Sequence, residues 1–274
     1  MPSAEMLCVW SLSGQEILAI PFADLPDLLK GASPTVCSLK RHLNLRCRCG
    51  VSRFQLRLTA TDGTLLGDEE ELTSPMDLQL VVQDFIKPNR KQVKELKAAV
   101  AGGLASEVEA ILQRPQDPTI QVKRPTPLEY ASYEGRADLV SLLLEAVPAE
   151  KRSWWIDSPG HACLVSAANG HGNGDQQEVL RLLLQAKANV NRGCRSVPMG
   201  CEMGRAYEHA TPLGWAIWEL NVGAVEIFLE AKADINQRCW QLGPTPLAAA
   251  AKLGDVRLEQ LLLQADARND EVSS

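Results

Sequence analysis

The chain has 274 residues, with 28 Lys and Arg against 34 Asp and Glu for a net charge of -6, and it is 45% hydrophobic and 23% charged. That length suggests about two domains, each able to bury a core, and the apolar content excludes wholesale disorder. The acidic balance argues against a surface built to neutralise phosphates, and no run of 18 apolar residues is present to span a bilayer, so neither nucleic-acid binding nor membrane insertion is expected.

The amino terminus does not read as a secretory signal, because Glu5 stands where a cationic segment belongs and Ser11, Ser13, Gln15 and Glu16 interrupt any apolar core. Leu7 to Trp10 and Glu16 to Ile20 read as strands flanking the Gly-containing turn Ser11 to Gly14. Thr35 then precedes Val36, Leu39 and Leu43, a helical stripe with Thr as its cap. A strand region at Phe54 to Ala60, a turn at Asp62-Gly63 and a final strand at Leu78 to Val82 complete the segment. The basic run Lys87 to Lys91 reads as a solvated linker.

This order resembles the ubiquitin fold, a β-grasp in which a mixed sheet wraps one helix. The similar pieces are Ser11 to Gly14, Gly50-Val51, Gln55 to Leu58, Leu65 to Asp68 and Leu78 to Val82, with enlarged loops at about Ala23 to Pro34 and Arg46 to Cys49. The resemblance implies a ubiquitin-like α+β domain over residues 5–86 and a linker at 87–91. It further implies a recognition patch at Leu12, Thr59 and Val81 through which ubiquitin-system receptors would be contacted. Thr59 stands where ubiquitin is apolar, which weakens that patch. The chain continues past Val82 without a Gly-Gly terminus, so the chemistry of isopeptide formation is absent.

From about residue 92 the sequence repeats itself. Thr-Pro-Leu occurs at Thr126 to Leu128, Thr211 to Leu213 and Thr245 to Leu247, and a degraded copy ends at Leu164. Each copy is followed by an Ala-rich stretch and then a Leu-rich one. Thr caps a helix by accepting a backbone N–H bond, and Pro in the first turn removes no donor that the helix needs. From the Leu of Thr-Pro-Leu to the last Leu of the second stretch is 16 residues for Leu128 to Leu144, Leu213 to Leu229 and Leu247 to Leu263. For Leu164 to Leu184 it is 20, which places extra residues in Gly170 to Gly174, and a longer insertion falls near Gly193 to Ala210.

The repeats resemble the ankyrin repeat, whose period is about 33 residues. The resemblance covers residues 92–270 and implies an all-α solenoid of about five repeats, the first of them (Leu96 to Leu112) degenerate. Leu220 departs from the pattern by standing where the Gly between helices is expected, and the second full repeat lacks Thr-Pro. Ankyrin arrays bind proteins through a concave face and loop tips. The positions just before the turn between helices therefore become candidates: Tyr133 and Glu134, Asn169, Trp218 and Glu219, then Lys252 and Leu253. Tyr and Trp are favoured interface anchors. Arg238 and Trp240 fall at a loop tip, Trp215 falls in the core, and Tyr207, His209, Trp154 and Trp155 are secondary candidates.

No enzyme is expected, since His42, His161, His171 and His209 are accompanied by no Ser, Cys or Asp constellation, and no cofactor motif occurs. Gly170 to Gly174 lacks the Lys-Ser/Thr end of a phosphate loop and reads as a turn. Cys47-Arg48-Cys49 is too tightly spaced for zinc and has no second pair nearby, so no metal is expected. Eight cysteines in a chain long enough to fold without staples point to reduced thiols in the cytoplasm, with the nucleus also open. Two functions remain: an adaptor whose array holds a client protein while the ubiquitin-like domain contacts ubiquitin-system components, and a structural or sequestering scaffold with no such link.

Overall fold

The computed structural model describes residues 5–47, 51–120, 125–158, 163–170, 175–193, 211–237 and 245–272. Among the described residues it is a mixed α/β chain with one small four-stranded sheet and many helices, and it divides into two compact units. The first comprises residues 1–87 together with Leu112–Asp117 and Glu145–Ala149, and the second comprises the remainder.

In the first unit, β1 (Met6–Ser11) and β2 (Glu16–Pro21) form an antiparallel hairpin. Its turn uses Gly14 at φ 79°, a left-handed conformation that favours glycine. A short helix α1 (Leu25–Leu28) follows in the segment expected to be an enlarged loop. It forms because Leu25 and Leu29 have a core to enter, an attraction that local periodicity does not reveal. Helix α2 (Val36–Cys47) begins where expected, with Thr35 Oγ1 accepting the Ser38 N–H at 3.3 Å. A single 3₁₀ turn, Arg53–Gln55, precedes β3 (Leu56–Ala60), so the strand begins two residues later than the apolar pattern suggests. With β4 (Asp77–Val82), the sheet runs β2-β1-β4-β3, in which β1 and β4 are parallel and β3 and β4 antiparallel. Leu7, Val9, Leu18, Leu58, Leu78 and Leu80 from the sheet meet Val36, Leu39 and Leu43 of α2 in one core.

Beside that core lies a buried ionic network. Lys40 pairs with Asp68 at 2.5 Å, and Arg53 reaches Asp68 at 3.4 Å and Glu145 at 2.5 Å, the two basic side chains being at most 2% exposed. Gln113 also donates to Asp68, and Arg57 donates to the Gln113 carbonyl at 2.5 Å. The Ile86 N–H bonds the Pro115 carbonyl at 2.6 Å, and the Ile86 carbonyl accepts from Asp117 at 3.1 Å. The two later segments therefore belong to this unit through charge and backbone pairing.

The second unit is built of helices. Helix α3 (Arg90–Gly102) starts with Asn89, whose side chain accepts from Lys91 and Gln92 while Gln92 reaches back, a capping box formed inside the basic run read as a linker. Helix α4 is Ala105–Leu112. The pairs that follow are α5 (Pro127–Tyr133) with α6 (Ala137–Glu145), then, after a further helix α7 (Ala149–Ile156), α8 (Cys163–Ala168) with α9 (Gln176–Gln185). They continue as α10 (Pro212–Trp218) with α11 (Val222–Glu230) and α12 (Pro246–Leu253) with α13 (Val256–Val272). First helices pack successively, α3 on α5, α5 on α8, α8 on α10 and α10 on α12. The Ala residues permit this close approach, and Ala131, Ala216, Ala249 and Ala250 are fully buried.

The same local devices recur from pair to pair. Thr126, Thr211 and Thr245 each accept the N–H three residues on, and Asp175, Asn221 and Asp255 do likewise at α9, α11 and α13. The turn between helices is left-handed at Gly103, Gly135, Leu220 and Gly254 alike, so Leu220 takes φ 52° where α3–α4, α5–α6 and α12–α13 supply glycine. The expected departure at Leu220 is thus a leucine held in a glycine's conformation. Beyond the second helices runs a ladder of short polar side chains. Asp157 accepts from Asn189 N–H, Asn189 Oδ1 from Asn191, Asn191 Oδ1 from Asp234, and Asp234 Oδ1 from Asn236. These bonds account physically for Asn189, Asn191 and Asp234, whose side chains accept them, while Asn236 contributes its backbone N–H.

Candidate protein-binding surface

The candidates at the ends of the first helices form a row because those helices pack side by side. Tyr133 ends α5 and Glu134 is its C-cap, while Trp218 ends α10 and Glu219 is its C-cap, and all four are half-buried. Between them stands the end of α8. A Cβ placed on Gly170 would come within 2.4 Å of the Tyr133 carbonyl, so glycine is required where α8 meets α5. On the other side of α8, Asn221 Nδ2 donates to the Ala168 carbonyl at 3.0 Å, which joins it to the turn after α10.

Asn169 differs from its neighbours in the row: it is 3% exposed, so it offers a partner almost no side-chain surface. Lys252 and Leu253, at the end of α12, are exposed. Trp215, three residues before Trp218, is buried among the helices as expected. Arg238 and Trp240 lie outside the described residues, as do Tyr207, His209, His161, His171, most of the Gly170 to Gly174 turn, nearly all of the Gly193 to Ala210 insertion, and Arg48 with Cys49.

Two features of this region were not anticipated. Gly170, Asp175, Gln176, Gln177, Leu180 and Asn221 are among the walls of a cavity of about 490 Å³ beside the row, and Gln176 Nε2 is buried there with no hydrogen-bond partner among the described residues. In sequence, two glutamines at a helix start read as solvated polar residues, so nothing signals the cavity. The other is helix α7, which carries the secondary candidates Trp154 and Trp155. It buries Trp155 and leaves its neighbour Trp154 67% exposed. Adjacent tryptophans on a helix point about 100° apart, which the pair alone does not reveal without knowing that a helix forms.

In the first unit, Thr59 pairs with Gln79 and Val81 with Arg57 across β3 and β4, which sets Thr59 and Val81 on the sheet face opposite Leu58 and Leu80. Ser11 pairs with Leu80, and Leu12 follows it in the hairpin turn, 65% exposed. Thr59 and Val81 are half-buried. Arg57, directly opposite Val81, is engaged by the Gln113 carbonyl. Burial, reinforced by Asp77, pushes the Cys8 thiol up, which makes it a poor nucleophile at neutral pH.

No family model matches the chain. It is similar to an ankyrin repeat and KH domain-containing protein of Caenorhabditis briggsae, at 27% identity over 177 residues. That stretch is 59% of this chain and 6% of the relative, so the chain spans a small fraction of the length of the protein it matches. The similarity supports ankyrin-type repeats and, at most, a protein-interaction module; it bears on no ubiquitin-like feature. No helix among the described residues is long and apolar enough to cross a membrane.

Proposed function

We propose that this protein is a non-catalytic interaction module in which an ankyrin-type solenoid over about residues 92–270 binds a protein client. The observation that carries the reading is the recurrence of one helix-turn-helix unit, with the same Thr cap and the same left-handed turn, in a stack whose first helices present Tyr133 and Trp218 at equivalent places. Neither helix of such a unit can hide its apolar face alone, and stacking leaves the helix ends and loop tips to make contacts. Glu134, Glu219 and Lys252 flank the aromatic anchors, and Arg238 and Trp240 are proposed to extend the surface at a loop tip. The eight cysteines, in a chain that needs no staples, favour an intracellular setting.

The same proposal takes residues 5–86 as a ubiquitin-like domain, joined by residues 87–91 and contacting ubiquitin-system receptors through Leu12, Thr59 and Val81. Strand order and exposed Leu12 favour it. The scaffold alternative draws support from Arg57, whose engagement by Gln113 beside Val81 occupies part of the sheet face a receptor would need. Binding of purified ubiquitin-receptor domains to the full chain, compared with Leu12→Ala and Val81→Ala, separates the two. Binding lost in both variants favours the adaptor, and no binding to any receptor favours the scaffold.

The client site is tested by the double change Tyr133→Ala with Trp218→Ala. A buried aromatic anchor contributes on the order of 2 kcal/mol, about 30-fold in affinity, so the pair should abolish client capture. Half-buried positions should leave the thermal midpoint nearly unchanged, within about 0.5 kcal/mol of stability each. A large fall in midpoint assigns the rings to the core, and undiminished capture moves the site to the loop tips.

A further inference from the structure

The last helix pair among the described residues, α12 with α13, exposes the apolar face that earlier pairs bury. Leu128 and Leu213, which follow the Thr-Pro caps of α5 and α10, are at most 2% exposed, whereas Leu247 at the same place in α12 is 37% exposed. One turn further along, Ser132 of α5 and Ile217 of α10 are fully buried, and Ala251 at the equivalent place is exposed. In the second helices the series runs Leu144, Leu229 and Leu263, which are buried, half-buried and 52% exposed in turn. The difference follows from the stacking: α12 packs on α10 and α13 on α11, so each earlier pair has a following pair to cover it.

Leu247 and Ala251 stand one turn apart on α12, and Val256, Gln260 and Leu263 share a face of α13, where Val256 is 63% exposed. A terminal pair that faces water carries polar residues at such places, because nothing covers its outer side. The first pair meets that rule. The exposed residues of α3 include Arg90, Lys91 and Lys94, and those of α4 include Ser106 and Glu107.

We propose that the α12–α13 face is an interface between two copies of this chain, related by a two-fold axis so that the face of one copy covers the same face of the other. This occupant continues the interface that α10 and α12 already make: Ala251 lets a neighbouring helix approach closely, and Leu247, Val256 and Leu263 supply the apolar surface on both sides. Head-to-tail addition would press Arg90, Lys91 and Lys94 against that apolar surface, and cations are costly to bury without partners. The symmetric contact uses the apolar face twice and closes at two copies.

Sedimentation velocity of the full chain from about 1 to 500 μM tests this, a range suited to a small interface of the weak class. The expected result is a mass that rises with concentration from one chain toward two and stops there. The double change Leu247→Lys with Leu263→Lys sets like charges on both sides of the axis, and it should weaken association by about tenfold or more. Both side chains are exposed, so the thermal midpoint of the dilute protein should not fall. Should that variant lose its fold, Ala251→Cys gives an independent reading. Two-fold pairing brings equivalent α12 helices together, so mild oxidation of Ala251→Cys should give a disulfide dimer linked through position 251 on both chains, a species the unchanged chain does not form. A mass that stays at one chain throughout the range overturns the proposal and leaves the face to a different partner. Growth beyond two copies overturns the two-fold geometry, and a dimer that the lysine changes leave intact overturns the assignment to this face.

Discussion

The two units reach stability by opposite routes. The first has a single sheet, a single core and a buried network, Lys40, Arg53, Asp68, Gln113 and Glu145, drawn from widely separated parts of the sequence. The second repeats local devices: a Thr cap at α5, α10 and α12, a left-handed turn after those same helices, and an Asp or Asn cap at α9, α11 and α13. A unique network concentrates stability in a few residues, because each charge depends on partners that nothing else supplies. A repeated formula distributes it, because each unit contributes its own caps and its own interface with the next.

That contrast is tested most severely at Asp68. Its replacement by Ala would leave Lys40 and Arg53, both essentially buried, without their shared carboxylate, and breaking a buried pair in this way costs about 3–5 kcal/mol. Urea unfolding of the full chain, followed through the first unit's transition, measures it. A loss below about 1 kcal/mol would show that water reaches the network and that the contrast is overstated.

A smaller effect is expected from each Thr cap. Thr126→Ala and Thr211→Ala should each cost about 1 kcal/mol, since each frees one N–H at a buried helix start. Thr126 should cost the more of the two, because its capping box also holds the buried Glu129. Thr245→Ala should cost least, because its hydrogen bond is longer, at 3.3 Å, and less buried. Equal and large losses at all three would contradict the idea that the units contribute separately.

The smallest and most diagnostic change is Leu220→Gly. Leucine in the left-handed region carries a penalty of about 1–2 kcal/mol, part of which is offset because glycine loses more entropy on folding. Leu220 is also 48% exposed, so little burial is forfeited. The substitution should raise stability by about 0.5–1 kcal/mol, read as a higher thermal midpoint. A fall in midpoint would mean that the leucine side chain holds the turn through packing, and that this repeat departs from the formula in substance.

Much of this was legible beforehand because it is local. The three Thr caps, the Pro after each, the Ala and Leu stripes and the anomaly at Leu220 are all decided within one or two helical turns. Periodicity and cap chemistry report them directly. The hairpin, α2 and the last strand of the first unit followed in the same way from a Gly-containing turn, a Thr cap and alternation. What only the tertiary structure decided is where distant pieces meet. That Arg53 is nearly fully buried between Asp68 and Glu145, that Asn169 is buried while Tyr133 and Trp218 keep exposed surface, and that Gln176 lines a cavity all depend on neighbours tens of residues away. The physical reason is that burial and charge pairing are properties of assembled surfaces. A sequence displays the residue types that will seek such partners, and only the folded chain determines which partners they find.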